Sequence, residues 1–176
     1  ASGELAVMTS WDGTMSVWNM KTEEQVWSRP TSLPGTGSFH EYRVRFSPDG
    51  RFVASGGADL AIQLRRASNG ELVRFFPGHE DTISGIVFLP DGKRMMSAAV
   101  SGELRVHDLT QPGPILEIPH PFWVQSLAVS PGGEALATAC RDGAVRTFDM
   151  QTGELLSENV GRSENPNVEF LQLRNP

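Results

Sequence analysis

Four histidines, one cysteine and three repeat-placed turn aspartates are the residues of this 176-residue chain best suited to chemistry. His40, His79, His107 and His120 could serve as bases or metal ligands, Cys140 as a nucleophile, and Asp12, Asp59 and Asp142 as acid–base groups. Their placement argues against each role. No His-x-x-x-His or comparable ligand spacing occurs, and a single cysteine builds neither a zinc or iron–sulfur centre nor an intramolecular disulfide. His79 and His120 stand at the same position of successive repeats, which marks them as structural. His107 is expected to pack and His40 to lie in a solvated loop. Cys140 reads as a buried, inert thiol in a strand, with only Arg141 nearby to activate it. The three aspartates are repeat-equivalent, so capping their own turns explains them better than catalysis. Gly56-Gly57 is a lone glycine pair, not a phosphate loop. No catalytic residue, metal or cofactor is expected.

The elements that must position these residues follow from one ruler. Three turn signals, Pro48-Asp49-Gly50, Pro90-Asp91-Gly92 and Pro131-Gly132-Gly133, lie 42 and 41 residues apart. Eleven residues after each proline stand Asp59, Ser101 and Asp142, and six further on stand Arg65, His107 and Phe148. The same step of six links Asp12 to Trp18 near the N-terminus. Between these marks lie short alternating or apolar runs: Tyr42/Val44/Phe46, Ile86-Val87-Phe88 and Leu127-Ala128-Val129, then Ile62/Leu64, Leu104/Val106 and Met15/Val17. An outer run closes each unit, as in Leu72-Val73-Arg74-Phe75 and Ile115-Leu116-Glu117-Ile118. No segment shows a helical period. The expectation is all-β, in units of about 1–38, 39–78, 79–119 and 120–161, with a final first-strand segment at 165–176. The strand count becomes three, four, four, four and one, and the last strand is the piece the first unit lacks.

Composition bounds the function. The chain is 39% hydrophobic and 20% charged, ordinary for a globular domain. Its 18 glycines and 12 prolines suit many tight turns. A net charge of −6 gives no general reason to bind a phosphate backbone, so no nucleic-acid partner is expected. No apolar run reaches the ~20 residues of a membrane-spanning helix, so no membrane role is expected. Residues 1–10 lack the basic start and apolar core of a signal peptide. The compartment stays open, with the cytoplasm favoured.

These residues resemble the WD40-repeat family of β-propellers along nearly the whole chain. Gly78-His79 matches the family's Gly-His pair, and Phe46-Ser47-Pro48-Asp49-Gly50 its first-strand end. Asp12-Gly13 and Asp142-Gly143 match its Asp-Gly turn, and Gln151-Thr152-Gly153-Glu154 its turn into the outer strand. Trp18-Asn19, His107-Asp108 and Phe148-Asp149 stand where the family has Trp-Asp. The resemblance implies a WD40-type propeller of about four blades, each of four antiparallel strands. It also implies a hydrogen-bonded tetrad of His, Ser/Thr, Asp and Trp, which no unit here carries whole. The positions present are His120, Thr138 and Asp142; His79 and Ser97; Ser55 and Asp59; and Asp12 and Trp18. The fold does not hinge on them, because a net hydrogen bond is worth only ~1 kcal/mol.

In a propeller, the loops entering the first strand and joining the second to the third share one face, and repeat proteins bind on such surfaces. By the resemblance, the residue before each turn aspartate points to that rim: Trp11, Ala58, Val100 and Arg141. Tyr42, Asp81, Phe122 and Trp123 join it from the entry loops, and Trp and Arg are preferred anchors for protein partners. The Trp27–Glu41 connection, rich in Pro, Gly, Ser and Thr, is expected to be a surface loop. Two architectures fit: a closed four-bladed ring completed by the last strand, or a part of a larger propeller. Open blade faces would favour self-association. The expected function is a non-catalytic scaffold or sensor that binds proteins or peptides. The alternatives are a regulatory module fused to a catalytic domain outside this chain, or a propeller hydrolase or lyase.

Overall fold

A computed structural model describes residues 4–10, 12–31, 43–121 and 123–160. The described residues form fifteen strands and no helix. Strands β1 (Leu5–Thr9), β2 (Thr14–Asn19) and β3 (Glu24–Pro30) make the first sheet. The second holds β4 (Arg43–Phe46), β5 (Phe52–Gly56), β6 (Ile62–Arg66) and β7 (Leu72–Phe76). The third holds β8 (Ile83–Phe88), β9 (Arg94–Ala99), β10 (Leu104–Asp108) and β11 (Pro114–Ile118). The fourth holds β12 (Val124–Val129), β13 (Ala135–Cys140), β14 (Ala144–Asp149) and β15 (Leu155–Val160). Each sheet is an antiparallel meander in sequence order, the blade of a β-propeller. The first blade lacks an inner strand among the described residues. The expected completing strand, within 165–176, lies outside them. The sheets do not close into a ring, so the architecture is a partial propeller.

Strand periodicity explains how blades stack. In β4, Val44 and Phe46 share one face and pack with Met15, Val17, Trp27 and Val53 of the first seam. In the second blade, Ala54, Ile62, Leu64 and Phe76 face the third blade's Ile83, Ile86, Phe88, Met95 and Leu109. In the third, Leu89, Met96, Leu104, Val106 and Ile118 face the fourth blade's Val124, Leu136, Cys140, Phe148 and Met150. Each seam is a dry sheet-on-sheet core, and apolar burial at roughly 25 cal/mol per Å² makes these seams the main source of cohesion.

The first seam carries an added fastener. The buried Trp27 donates its indole N–H to the Ala67 carbonyl at 2.7 Å, across 40 residues. Its ring lies on Gly70, where a Cβ would come within 2.8 Å of the indole. Gly70 also has φ +71°, so this turn needs glycine for both space and backbone. Gly13, Gly102 and Gly143 take positive φ after the repeat's turn position. The second blade has Leu60 there instead, at φ 62°.

Candidate functional site

The polar residues at the repeat positions sit where the second strand meets the third, and each blade uses them differently. In the third blade a continuous chain forms. His79 Nε2 lies 2.6 Å from Ser97 Oγ, which lies 3.0 Å from His107 Nε2. His79 Nδ1 meets Glu103 at 2.9 Å. His107 does pack, at 5.1 Å from the Phe76 ring, but it also takes the polar place of the missing Trp. The acid has moved two residues: Ser101 is exposed and Glu103 does its work. Burial pushes the His107 imidazole down to about 4, helped by its nearness to His79 and Arg105. Burial lowers His79 as well, and Glu103 opposes it.

In the fourth blade His120 Nε2 meets Thr138 Oγ1 at 3.2 Å and Cys140 Sγ at 3.3 Å, while its ring packs 5.7 Å from Phe148. Asp142 turns instead to Arg146, which donates to it at 2.7 Å and to Glu158 at 3.0 Å. That hydrogen bond is the largest cause of Asp142's lowered pKa. A thiol beside an imidazole has the outline of a nucleophile and its base. Here the thiol is fully buried, and burial raises its pKa, so the thiolate is disfavoured.

The first two blades keep less of the arrangement. Asp12 accepts from the Thr14 N–H at 2.9 Å and hydroxyl at 2.7 Å, capping its own turn. Trp18 donates to Ser16 Oγ at 3.0 Å. In the second blade Ser55 Oγ and both Asp59 oxygens are buried without a hydrogen-bond partner of good geometry. Burial raises the Asp59 pKa; the N–H groups of Gly57 and Ala61 and the Gln63 side chain offset only part of it. Arg65, at the Trp position, bridges the Gly70 carbonyl at 2.9 Å and Gln63 Oε1 at 2.8 Å.

Trp123 and Arg141, expected at the rim, come together. The Arg141 N–H donates to the Trp123 carbonyl at 3.0 Å, and its guanidinium lies 4.9 Å over the indole. Arg141 is exposed and Trp123 half-buried, with its Nε1 buried and without a partner. Asp81 lies on the adjacent blade's loop, where its carboxylate accepts from Thr82 N–H at 2.6 Å. Trp11, Tyr42 and Phe122, with His40 and most of the Trp27–Glu41 connection, lie outside the described residues. Between the third and fourth blades a cleft of about 480 Å³ is lined by Glu80, Ser101, Glu103, Glu117, Ile118, Pro119 and His120. Arg105 pairs there with Glu103 and, at 3.2 Å, with Glu117. Arg105/Glu117 and Arg146/Glu158 are separated by one repeat of 41. That spacing was available in the sequence as a repeated Arg–Glu pair and is the signal that turn-based reading passes over.

The family profile "WD domain, G-beta repeat" matches residues 32–64, 70–108 and 113–149, more than half of the chain. This chain is a WD40-repeat protein. The WD40 chain is 23% identical over 156 residues to a WD repeat-containing protein, SL1-17, of Schistosoma mansoni, covering 89% of this chain and 50% of that protein. It is 30% identical over 143 residues to the U3 small nucleolar RNA-associated protein 4 homolog of Homo sapiens, covering 69% and 20%. It is 26% identical over 175 residues to eukaryotic translation initiation factor 3 subunit I of Scheffersomyces stipitis, covering 88% and 47%. The WD40 chain thus spans half or less of the length of these relatives. WD40 proteins typically bind other proteins.

Proposed function

We propose that this chain is a non-catalytic scaffold module that holds a protein partner on its rim, with Trp123 and Arg141 as the anchor. The observation that carries this reading is the exposed Arg141 guanidinium stacked on Trp123, whose buried indole N–H has no partner. An aromatic body with an exposed cation above it suits a peptide, and Trp and Arg dominate binding hot spots. The carboxylates, imidazoles and thiol at the neighbouring repeat positions are engaged in structural contacts, which supports binding over chemistry. Trp11, Asp81, Tyr42 and Phe122 extend the same proposed surface. The printed names of the relatives include a subunit of an initiation factor, which supports assembly into a multi-protein complex.

The test compares proteins co-purified with the wild-type full chain, with Arg141→Glu, and with Gln151→Ala on the turn between the third and outer strands. A partner lost with Arg141→Glu and kept with Gln151→Ala supports the rim. Identical partner sets for all three overturn it. A second reading, a regulatory module within a longer polypeptide, is favoured by the small share of each relative that the chain covers. Self-association to complete a ring belongs to the same proposal and is read from solution mass.

A further inference from the structure

Away from the rim, the inner strands β4, β8 and β12 line a cavity of about 530 Å³. Its wall holds Arg43 and Arg45, the small residues Ser84, Gly85 and Ser126, and Gln125, and no carboxylate lines it among the described residues. The pleat explains why two arginines appear together. Val44 and Phe46 are committed to the first seam, so Arg43 and Arg45 take the opposite face of β4, about 7 Å apart along the strand. By the repeat, the same positions carry Gly85 and Val87 in the third blade and Ser126 and Ala128 in the fourth. Two like charges thus stand where the other blades put small or apolar residues, and neither arginine has an ion pair among the described residues.

The neighbouring strands are shaped around this space. The β8–β9 ladder skips Ser84 and the β12–β13 ladder skips Gln125, a bulge in each inner strand at the cavity wall. Arg43 is held across the seam by its Nε, which donates to the Ser84 carbonyl at 2.8 Å. Ser84 in turn donates to the Val124 carbonyl at 2.8 Å, so three inner strands are tied at one level. Among the described residues the Arg45 side chain donates only to its neighbour's carbonyl, Val44, at 2.9 Å. Gln125 Oε1 is buried with no donor.

We propose that this inner cavity binds an acidic peptide segment of a protein partner. The carboxylates of that segment pair with Arg43 and Arg45 in charge-assisted hydrogen bonds. Arginines about 7 Å apart along β4, in a cavity of about 530 Å³, suit carboxylates on separate side chains of a peptide rather than one small inorganic anion. On a chain of net charge −6, an acidic peptide has no general attraction, so binding of one is local to this site.

The experiment titrates a fluorescein-labelled hexaglutamate peptide against the full chain at low salt, followed by anisotropy. Saturable binding is expected, weakened at least tenfold in Arg43→Gln/Arg45→Gln and three- to fivefold in Arg45→Gln alone, and reduced by added salt. Because Arg43 also ties two blades, melting curves accompany each variant. Arg45→Gln, a position whose side chain bonds only its neighbour's carbonyl among the described residues, keeps the test open if the double variant fails to fold. Arg141→Glu should leave this binding unchanged, which separates failure here from failure of the rim. Absence of saturable binding overturns the proposal, as does equal affinity in Arg45→Gln. Competition by millimolar inorganic phosphate as effective as that of unlabelled peptide overturns the assignment to a peptide.

Discussion

The second blade and the fourth carry an aspartate at the same turn, and the two carboxylates live in opposite surroundings. Asp142 accepts from Arg146 four residues on, and its pKa falls. Asp59 has Gln63 at that place, finds no well-aligned donor, and its pKa rises. The turns differ as well: Gly143 takes its left-handed conformation freely, whereas Leu60 takes the same one with a side chain. The third blade has lost the aspartate altogether, yet fills its network through Glu103 and His107. A shared motif residue therefore does not fix its own electrostatics. Arg146, four positions on, decides the sign at Asp142, whereas burial decides it at Asp59, where Gln63 offsets only part.

The largest expected effect comes from the filled blades. His107 has a folded pKa near 4 against 6.5 in the unfolded chain. The unfolded state therefore binds more protons between these values, and stability present above pH 6.5 is lost as pH falls toward 4. About 2 kcal/mol should go, read by urea unfolding at stepped pH, and His107→Phe should flatten that arm. Arg146→Met strands Asp142 and Glu158 around a buried gap and should cost about 2 kcal/mol in the same assay. In the second blade the expected signs reverse. Leu60→Gly relieves the left-handed strain and should raise stability by about 0.5–1 kcal/mol, seen as a higher thermal midpoint.

Asp59→Asn sharpens the contrast through pH. The folded pKa of Asp59 is raised, so the folded state holds its proton longer and wild-type stability falls as pH rises above about 3.8. The Asn variant should lose that decline and gain up to about 1 kcal/mol at pH 7. Asp142→Asn should do the opposite, because its stabilisation is present above the unfolded value and lost on acidification. Ser55→Ala removes a hydroxyl with no partner and should change stability by less than about 0.5 kcal/mol, whereas Ser97→Ala breaks a three-residue chain and should cost more. Equal costs for the two serines would dissolve the distinction between the blades.

The repeat was legible because turn chemistry and strand period act locally. Two Pro-Asp-Gly turns and a Pro-Gly-Gly turn, 42 and 41 residues apart, with the Asp12-to-Trp18 step and two-residue alternation, place every described sheet. The networks were harder to read, because hydrogen bonding depends on which side chains meet across a turn. Ser101 hid the role of Glu103, because the acid lies two residues beyond the repeat's fixed position. The unpartnered state of Ser55 and Asp59 was not visible in residue types that match the family. The family resemblance pointed to Arg141 and the entry loop to Trp123, but their stacking depends on the return of the turn between the second and third strands toward the entry loop. The inner arginines were passed over because alternation in β4 marked Val44 and Phe46 as core and left the other face unexamined.

Trp27 has a further use that follows from its place on Gly70. Its indole is sealed between the first and second blades and hydrogen-bonded to one carbonyl of the next sheet. Light emitted from so dry a site is blue-shifted, and parting of these two blades alone would move it to the red. A chain carrying this single fluorophore, its other tryptophans replaced by phenylalanine, would let the first seam be watched opening while the remaining blades stay stacked.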